Sequence, residues 1–214
     1  MTDDFGKIHD HNVYFYSDVL KKHEVLFSNL KNGLDNKCQI LYIASGESVL
    51  EAKCQMAYYG LFNKTKKPKI VTSNEWFTPN GGFNSNRVVE QYRKLIDDSL
   101  DRGFEGLYVS ADAADTFDYL KDDLKSWLKY ETSFGRTFGF PMEAICAYCT
   151  DQVKHRDKEL FQLVQAHKKI ITAESSTILD DQELCLDAVS EANIKEQTLK
   201  NLHKKLELDA SRYF

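Results

Sequence analysis

The chain has 214 residues and a mass of 24.7 kDa, long enough for one sizeable core with an appendage. Its 28 Lys and Arg against 33 Asp and Glu leave a net charge of −5, so no global basic field exists to hold a polyanion, and direct nucleic-acid binding is not expected. Met1-Thr2-Asp3-Asp4-Phe5 is acidic rather than a charged-then-apolar leader, and no run approaches the roughly 18 apolar residues of a membrane span, so a cytoplasmic protein without a membrane partner is expected.

Residues 12–16 read as the first strand. The turn that follows, Tyr16-Ser17-Asp18-Val19-Leu20-Lys21-Lys22, contains no glycine. A phosphate cradle needs GxxxxGKS/T so that backbone N–H groups can close on the anion and the Lys can reach its outer oxygens. Phosphoryl chemistry therefore lacks its main tool, which points away from an enzyme and towards a binding or sensing module. Leu20, His23, Leu26, Phe27, Leu30 and Leu34 then keep the spacing of one buried helical face.

A second strand is expected over 38–44. Ser45-Gly46-Glu47-Ser48 after it departs from the G-x-S-x-G elbow of a nucleophilic serine and is explained by helix capping. Leu50, Cys54, Ala57 and Leu61 mark the next helix and 69–72 a third strand. The connection over 73–86 carries Trp76, Phe77 and Phe83 beside Pro79 and the Gly81-Gly82 pair; it reads either as a lid or as a loop pinned by its aromatics. Val88, Val89, Tyr92, Leu95, Ile96 and Ser99 form a further helical face, and 106–110 a fourth strand. Asp112 follows that strand where a magnesium-binding acid would lie in a nucleotide-hydrolysing relative, but without a phosphate loop it has no triphosphate to serve.

From 116 to 138, Phe117, Leu120, Leu124, Trp127, Leu128, Phe134 and Phe138 form a single helical stripe. At about 100° per residue, Glu131 falls near its centre. A carboxylate there is costly to bury without a charged or hydrogen-bonded partner. It is read either as a pocket carboxylate or as one half of a structural ion pair, with His9, His11 and His167 as candidate partners. The His9-Asp10-His11 triplet supplies only two ligands of a metal site and no third is apparent from spacing, so neither a metal nor another cofactor is expected.

Residues 144–148 and 170–172 read as the last two strands. The five cysteines, Cys38, Cys54, Cys146, Cys149 and Cys185, are odd in number and suit reduced thiols. Cys146 and Cys149 lie on a strand, where a spacing of three points them to opposite faces, so both read as core cysteines rather than a redox or zinc pair. His167 closes a helix marked by Leu160, Phe161 and Val164, a place favoured by the helix dipole. Beyond residue 173 a polar helical stretch carries Leu199, Leu202 and Leu206 on one face, too short and too interrupted for a sustained coiled coil.

Strands apolar on both faces and separated by amphipathic helices imply a mostly parallel sheet covered on both sides. Ligands in such sheets bind beyond the carboxyl ends of the strands, which singles out the loops at 16–18, 45–48, 73–86, 110–113 and 148–151.

The segments His11-Asn12-Val13-Tyr14-Phe15-Tyr16, Gln39-Ile40-Leu41-Tyr42-Ile43, Gly81-Gly82-Phe83, Trp127-Leu128-Lys129-Tyr130-Glu131, Ile145-Cys146-Ala147-Tyr148 and Ala166-His167-Lys168-Lys169-Ile170-Ile171 together resemble the MEDS family, the methanogen/methylotroph sensory domain. The resemblance covers about residues 9–173. It implies a three-layer RecA/KaiC-like α/β fold without a working phosphate loop, used to sense small molecules such as hydrocarbon derivatives and to feed transcriptional or kinase outputs. The chain departs from the family pattern at Ser110-Ala111-Asp112-Ala113-Ala114-Asp115, where relatives often have a Gly-acid pair and a Trp, and at Cys149, where an Asp is common. Neither a helix-turn-helix before the domain nor a kinase segment after it is expected, so output is expected through a signalling partner or through self-association of the C-terminal helix.

The expected organisation is a sensory α/β domain over 1–173 and a helical extension over 174–214. Glu131, Asp112, His11, Tyr16, Tyr148 and His167 are the candidate polar groups of a ligand pocket at the carboxyl edge, with Trp76 and Phe83 as apolar cover. Two other functions are open: a nucleotide-binding KaiC-like protein or ATPase with a degenerate phosphate loop, in which Asp112 and Glu131 handle metal and water, and a scaffold acting through its C-terminal helix.

Overall fold

All six residues of strand β1 (His11–Tyr16) are buried, as are all six of β2 (Gln39–Ala44) and of β4 (Leu107–Asp112). Such strands are covered on both faces, which in a parallel sheet is the work of crossover helices. The computed structural model describes residues 8–62, 67–79, 81–120, 124–153, 156–171 and 176–178. In chain order the remaining elements are α1 (Val19–Asp35), α2 (Val49–Tyr58), β3 (Lys69–Thr72), α3 (Ser73–Phe77), α4 (Ser85–Asp101), α5 (Thr116–Tyr119), α6 (Leu124–Phe134), β5 (Met142–Cys149), α7 (Thr150–Val153), α8 (Asp157–Ala166), β6 (Lys169–Ile171) and β7 (Ser176–Ile178).

The sheet runs β3-β2-β4-β5-β1-β6-β7, with the first six strands parallel and β7 antiparallel to β6. Leu26, Phe27 and Leu30 of α1 and Ala52 and Met56 of α2 pack with Tyr14, Tyr42 and Ala147 on one face. Val88, Tyr92 and Ile96 of α4, Trp127 of α6 and Leu160 and Leu163 of α8 pack with Val13, Val109 and Tyr148 on the other. The result is a three-layer α/β fold compatible with the RecA-like architecture expected above. α1 lies so close to the sheet that a Cβ at Gly33 would stand 2.5 Å from Tyr108 Cβ.

Helix starts are fixed by local side chains. The Asp18 carboxylate accepts from the N–H groups of Leu20 and Lys21, and reciprocal capping boxes join Ser48 to Glu51 and Thr72 to Glu75.

The expected single helical stripe over 116–138 is broken into α5 and α6. α6 ends at Phe134, and Gly135 turns the chain at φ 61, in the left-handed region that favours glycine. The long connection over 73–86 is helical in its first part, where Trp76 and Phe77 are buried. Residues 176–178, read from sequence as linker and helix, pair along β6 as β7; the rest of the expected C-terminal helix lies outside the described residues. Among the described residues no helix is long and apolar enough to cross a membrane.

Candidate functional site

His11 opens β1, and β1 pairs with β5 so that Val13 lies opposite Cys146. Alternation along the strands puts His11, Val13 and Phe15 on the same face as Ala144, Cys146 and Tyr148. α6 crosses that face and buries Glu131, which is 2 % exposed. His167, the C-cap residue of α8, arrives from the other side of β1, because β6 pairs with β1 and begins two residues later.

The four side chains converge. His11 Nε2 lies 3.3 Å from Glu131 Oε2, His167 Nε2 lies 3.6 Å from the same oxygen, and Cys146 Sγ lies 3.5 Å from His11 Nε2. Each residue presents one donor atom, and all four atoms lie within 4.8 Å of one another. His11 Nδ1 bonds the Gly135 carbonyl at 2.9 Å and His167 Nδ1 the Leu163 carbonyl at 2.5 Å. A carbonyl can only accept, so each Nδ1 carries a hydrogen and each ring turns its Nε2 into the cluster. Burial, then the neighbouring His11 ring, holds His167 well below the usual histidine range. Burial, then the Glu131 carboxylate, pushes the Cys146 thiol well up.

The other carboxylate oxygen is held from above. Trp127 Nε1 donates to Tyr148 Oη at 3.3 Å, and Tyr148 Oη donates to Glu131 Oε1 at 3.1 Å. Burial and the same carboxylate hold the Tyr148 phenol well above its ordinary range, so it stays a donor. Beside the cluster lies a cavity of about 20 Å³, room for one water-sized particle, walled by Phe77, Trp127, Tyr130, Phe134 and Phe138 and floored by Ala111 and Ala144.

The remaining candidates form a second cluster on the opposite face. Lys22 Nζ donates to Asp112 Oδ2 at 2.8 Å, Tyr16 Oη donates to Asp112 Oδ1 at 3.0 Å, and the Ala114 N–H caps Asp112 Oδ1 at 3.1 Å. Burial pushes the Asp112 carboxyl up, against the pull of Lys22. The network continues through Glu47, which accepts from Tyr42 at 2.7 Å and lies 3.1 Å from His23 Nε2. At the turn where a phosphate loop would lie, the Asp18 carboxylate already occupies the first N–H groups of α1. Asp112 and Glu131 face opposite sides of the sheet, so they cannot share one metal and its water.

The eight expected site residues thus divide. His11, Glu131, Tyr148 and His167 come together; Tyr16 and Asp112 sit across the sheet at its carboxyl edge. Phe83 packs edge-on against Trp127 and Tyr130, one layer behind the cavity, and Trp76 packs at a tilt against Tyr92; Phe77 supplies the cavity wall instead. His9 turns away to the Phe140 carbonyl. Sequence reasoning missed Cys146 as a member of the cluster. Its shared face with His11 follows from strand alternation, but only once β1 and β5 are known to be neighbours.

A family model described as MEDS, MEthanogen/methylotroph, DcmR Sensory domain, matches residues 10–168, well over half of the chain. No curated protein matches the chain.

Proposed function

This chain belongs to the MEDS family of sensory domains, and on that premise we propose that it is a non-catalytic, cytoplasmic receptor for a small organic molecule of the hydrocarbon-derivative class. The observation that carries this reading is the cavity of about 20 Å³ between an aromatic wall and the His11, Glu131 and Cys146 side chains. An apolar guest with one polar or polarisable atom matches such a wall and corner. Because the resting space is that of one water-sized particle, a larger guest is admitted only as the aromatic wall of α6 shifts. That shift is the signal: a ligand moves an equilibrium between two arrangements by as much as it prefers one of them. Residues 1–173 form the sensory unit in this reading, and the extension over 174–214 passes the change to a signalling partner or a second copy.

The test is thermal unfolding of the purified chain against small hydrocarbons, alcohols and halogenated derivatives, with magnesium nucleotides in parallel, since a ligand that prefers the folded state raises stability as RT ln(1 + [L]/Kd). A shift with an organic compound, abolished when Ala144→Leu fills the cavity floor, is the expected result. A shift with nucleotide alone would replace this reading with that of a degenerate nucleotide-binding protein, and no shift with either class would leave the scaffold reading.

A further inference from the structure

We infer that His11 Nε2, His167 Nε2, Glu131 Oε2 and Cys146 Sγ are the four ligands of a divalent transition-metal ion of the zinc type. The inference rests on the sensory reading of this cavity for its role, and on the donor geometry alone for its chemistry.

Glu131 Oε2 and His167 Nε2 are fully withdrawn from solvent and neither has a hydrogen-bond partner. His167 donates through Nδ1 to the Leu163 carbonyl, and its unpartnered Nε2 faces the unpartnered Glu131 Oε2 at 3.6 Å. Unpartnered polar atoms facing each other in a dry interior are costly, and a cation between them removes the cost. Three of the six donor separations, 3.3, 3.5 and 3.6 Å, match the edges of a tetrahedron, about 3.3–3.8 Å, built on zinc–oxygen, zinc–nitrogen and zinc–sulfur bonds of ordinary length, and the others lie within 4.8 Å.

The donor set selects the ion. Two imidazoles, a carboxylate and a sulfur suit zinc and its tetrahedral neighbours and do not suit magnesium or calcium, which take oxygen ligands in larger number. Charge balances as well. On binding, the Cys146 thiol loses its proton to solvent, and thiolate plus carboxylate neutralise the doubly charged ion with no charge left over in the core. The supporting bonds are of the kind metal sites carry: each histidine is oriented by a carbonyl on its other nitrogen, and the carboxylate by Tyr148.

The experiment is cobalt(II) titration of the full chain stripped of metal, read by visible absorption, together with the zinc content of the chain as purified. The expected result is about one ion per chain, a tetrahedral cobalt spectrum with a sulfur-to-metal charge-transfer band, and loss of that band in Cys146→Ser with the circular dichroism of the fold retained. Tyr148→Phe, which leaves all four donors in place, is expected to weaken cobalt binding about 10-fold or more. A folded wild-type chain that gives no charge-transfer band overturns the inference, since a proton then bridges the cluster. Retention of the band in a chain that answers to no organic ligand sinks the sensory reading and leaves the metal site standing.

Discussion

Lys22 Nζ lies 2.8 Å from Asp112 Oδ2, both side chains buried where α1 passes the carboxyl end of β4. In a phosphate-binding relative of this architecture the cation of α1 would serve an anionic ligand. Here an internal acid has taken it. Removing one member strands the other charge in the core, so Lys22→Met and Asp112→Leu are each expected to cost about 3–5 kcal/mol, while the double variant recovers most of that loss because the desolvation of both charges is removed with them. Urea unfolding of the three variants measures it. A double variant as unstable as the worse single one would mean that the pair contributes net stability.

Glu47 sets an acid limit. Burial alone would raise its carboxyl, but the bonds from His23 and Tyr42 and the charge of Lys22 bring it below its ordinary value of 4.5. A lowered folded-state value means that the contribution to stability is fully present above the unfolded value and is lost as pH falls through the folded one. The stability difference between the natural chain and Glu47→Gln is therefore expected to be largest near about pH 7 and to shrink below about pH 4.5. Denaturant midpoints of both chains across that range test it; a difference that grows on acidification contradicts the assignment.

Tyr148→Phe removes one oxygen that serves two buried partners. Trp127 Nε1 loses its acceptor and Glu131 Oε1 its donor, and unsatisfied buried groups cost about 1–3 kcal/mol. Loss of stability in that range, with a change in tryptophan emission, is the expected outcome of fluorescence-monitored unfolding.

Gly33→Ala sets two effects against each other. Alanine favours the interior of α1 by up to about 1 kcal/mol, but its methyl would meet Tyr108 Cβ at 2.5 Å and Cγ at 2.6 Å. Overpacking at a helix-to-sheet contact costs about 1–3 kcal/mol, so the variant is expected to be destabilised. Thermal unfolding decides the sign.

How far the chain could be read in advance differs between elements and site. The six parallel strands follow from short apolar runs, and α1, α2 and α4 from their spacing, because burial of one or two faces imposes a period that local sequence must carry. Glu131 stood out for the same reason, as an acid within an apolar stripe. The break between α5 and α6 did not, since the apolar positions of 116–138 hold their phase across it. The site itself was least legible. Periodicity says which residues share a face, not which strands are neighbours, and the meeting of His11, Cys146 and His167 depends on β1 lying between β5 and β6. The expectation of a pocket at the carboxyl edge gathered Tyr16 and Asp112 with residues that belong beneath the opposite helical layer.

The antiparallel course of β7 decides at which rim of the sheet its last residue lies. β6 begins two residues after His167, and Lys169 at its start pairs with Ile178 at the end of β7. Ile178 therefore stands at the amino rim of the sheet, on the side of His167 and not at the far rim where Asp112 lies. Two peptide units and one ladder rung separate that imidazole from Ile178.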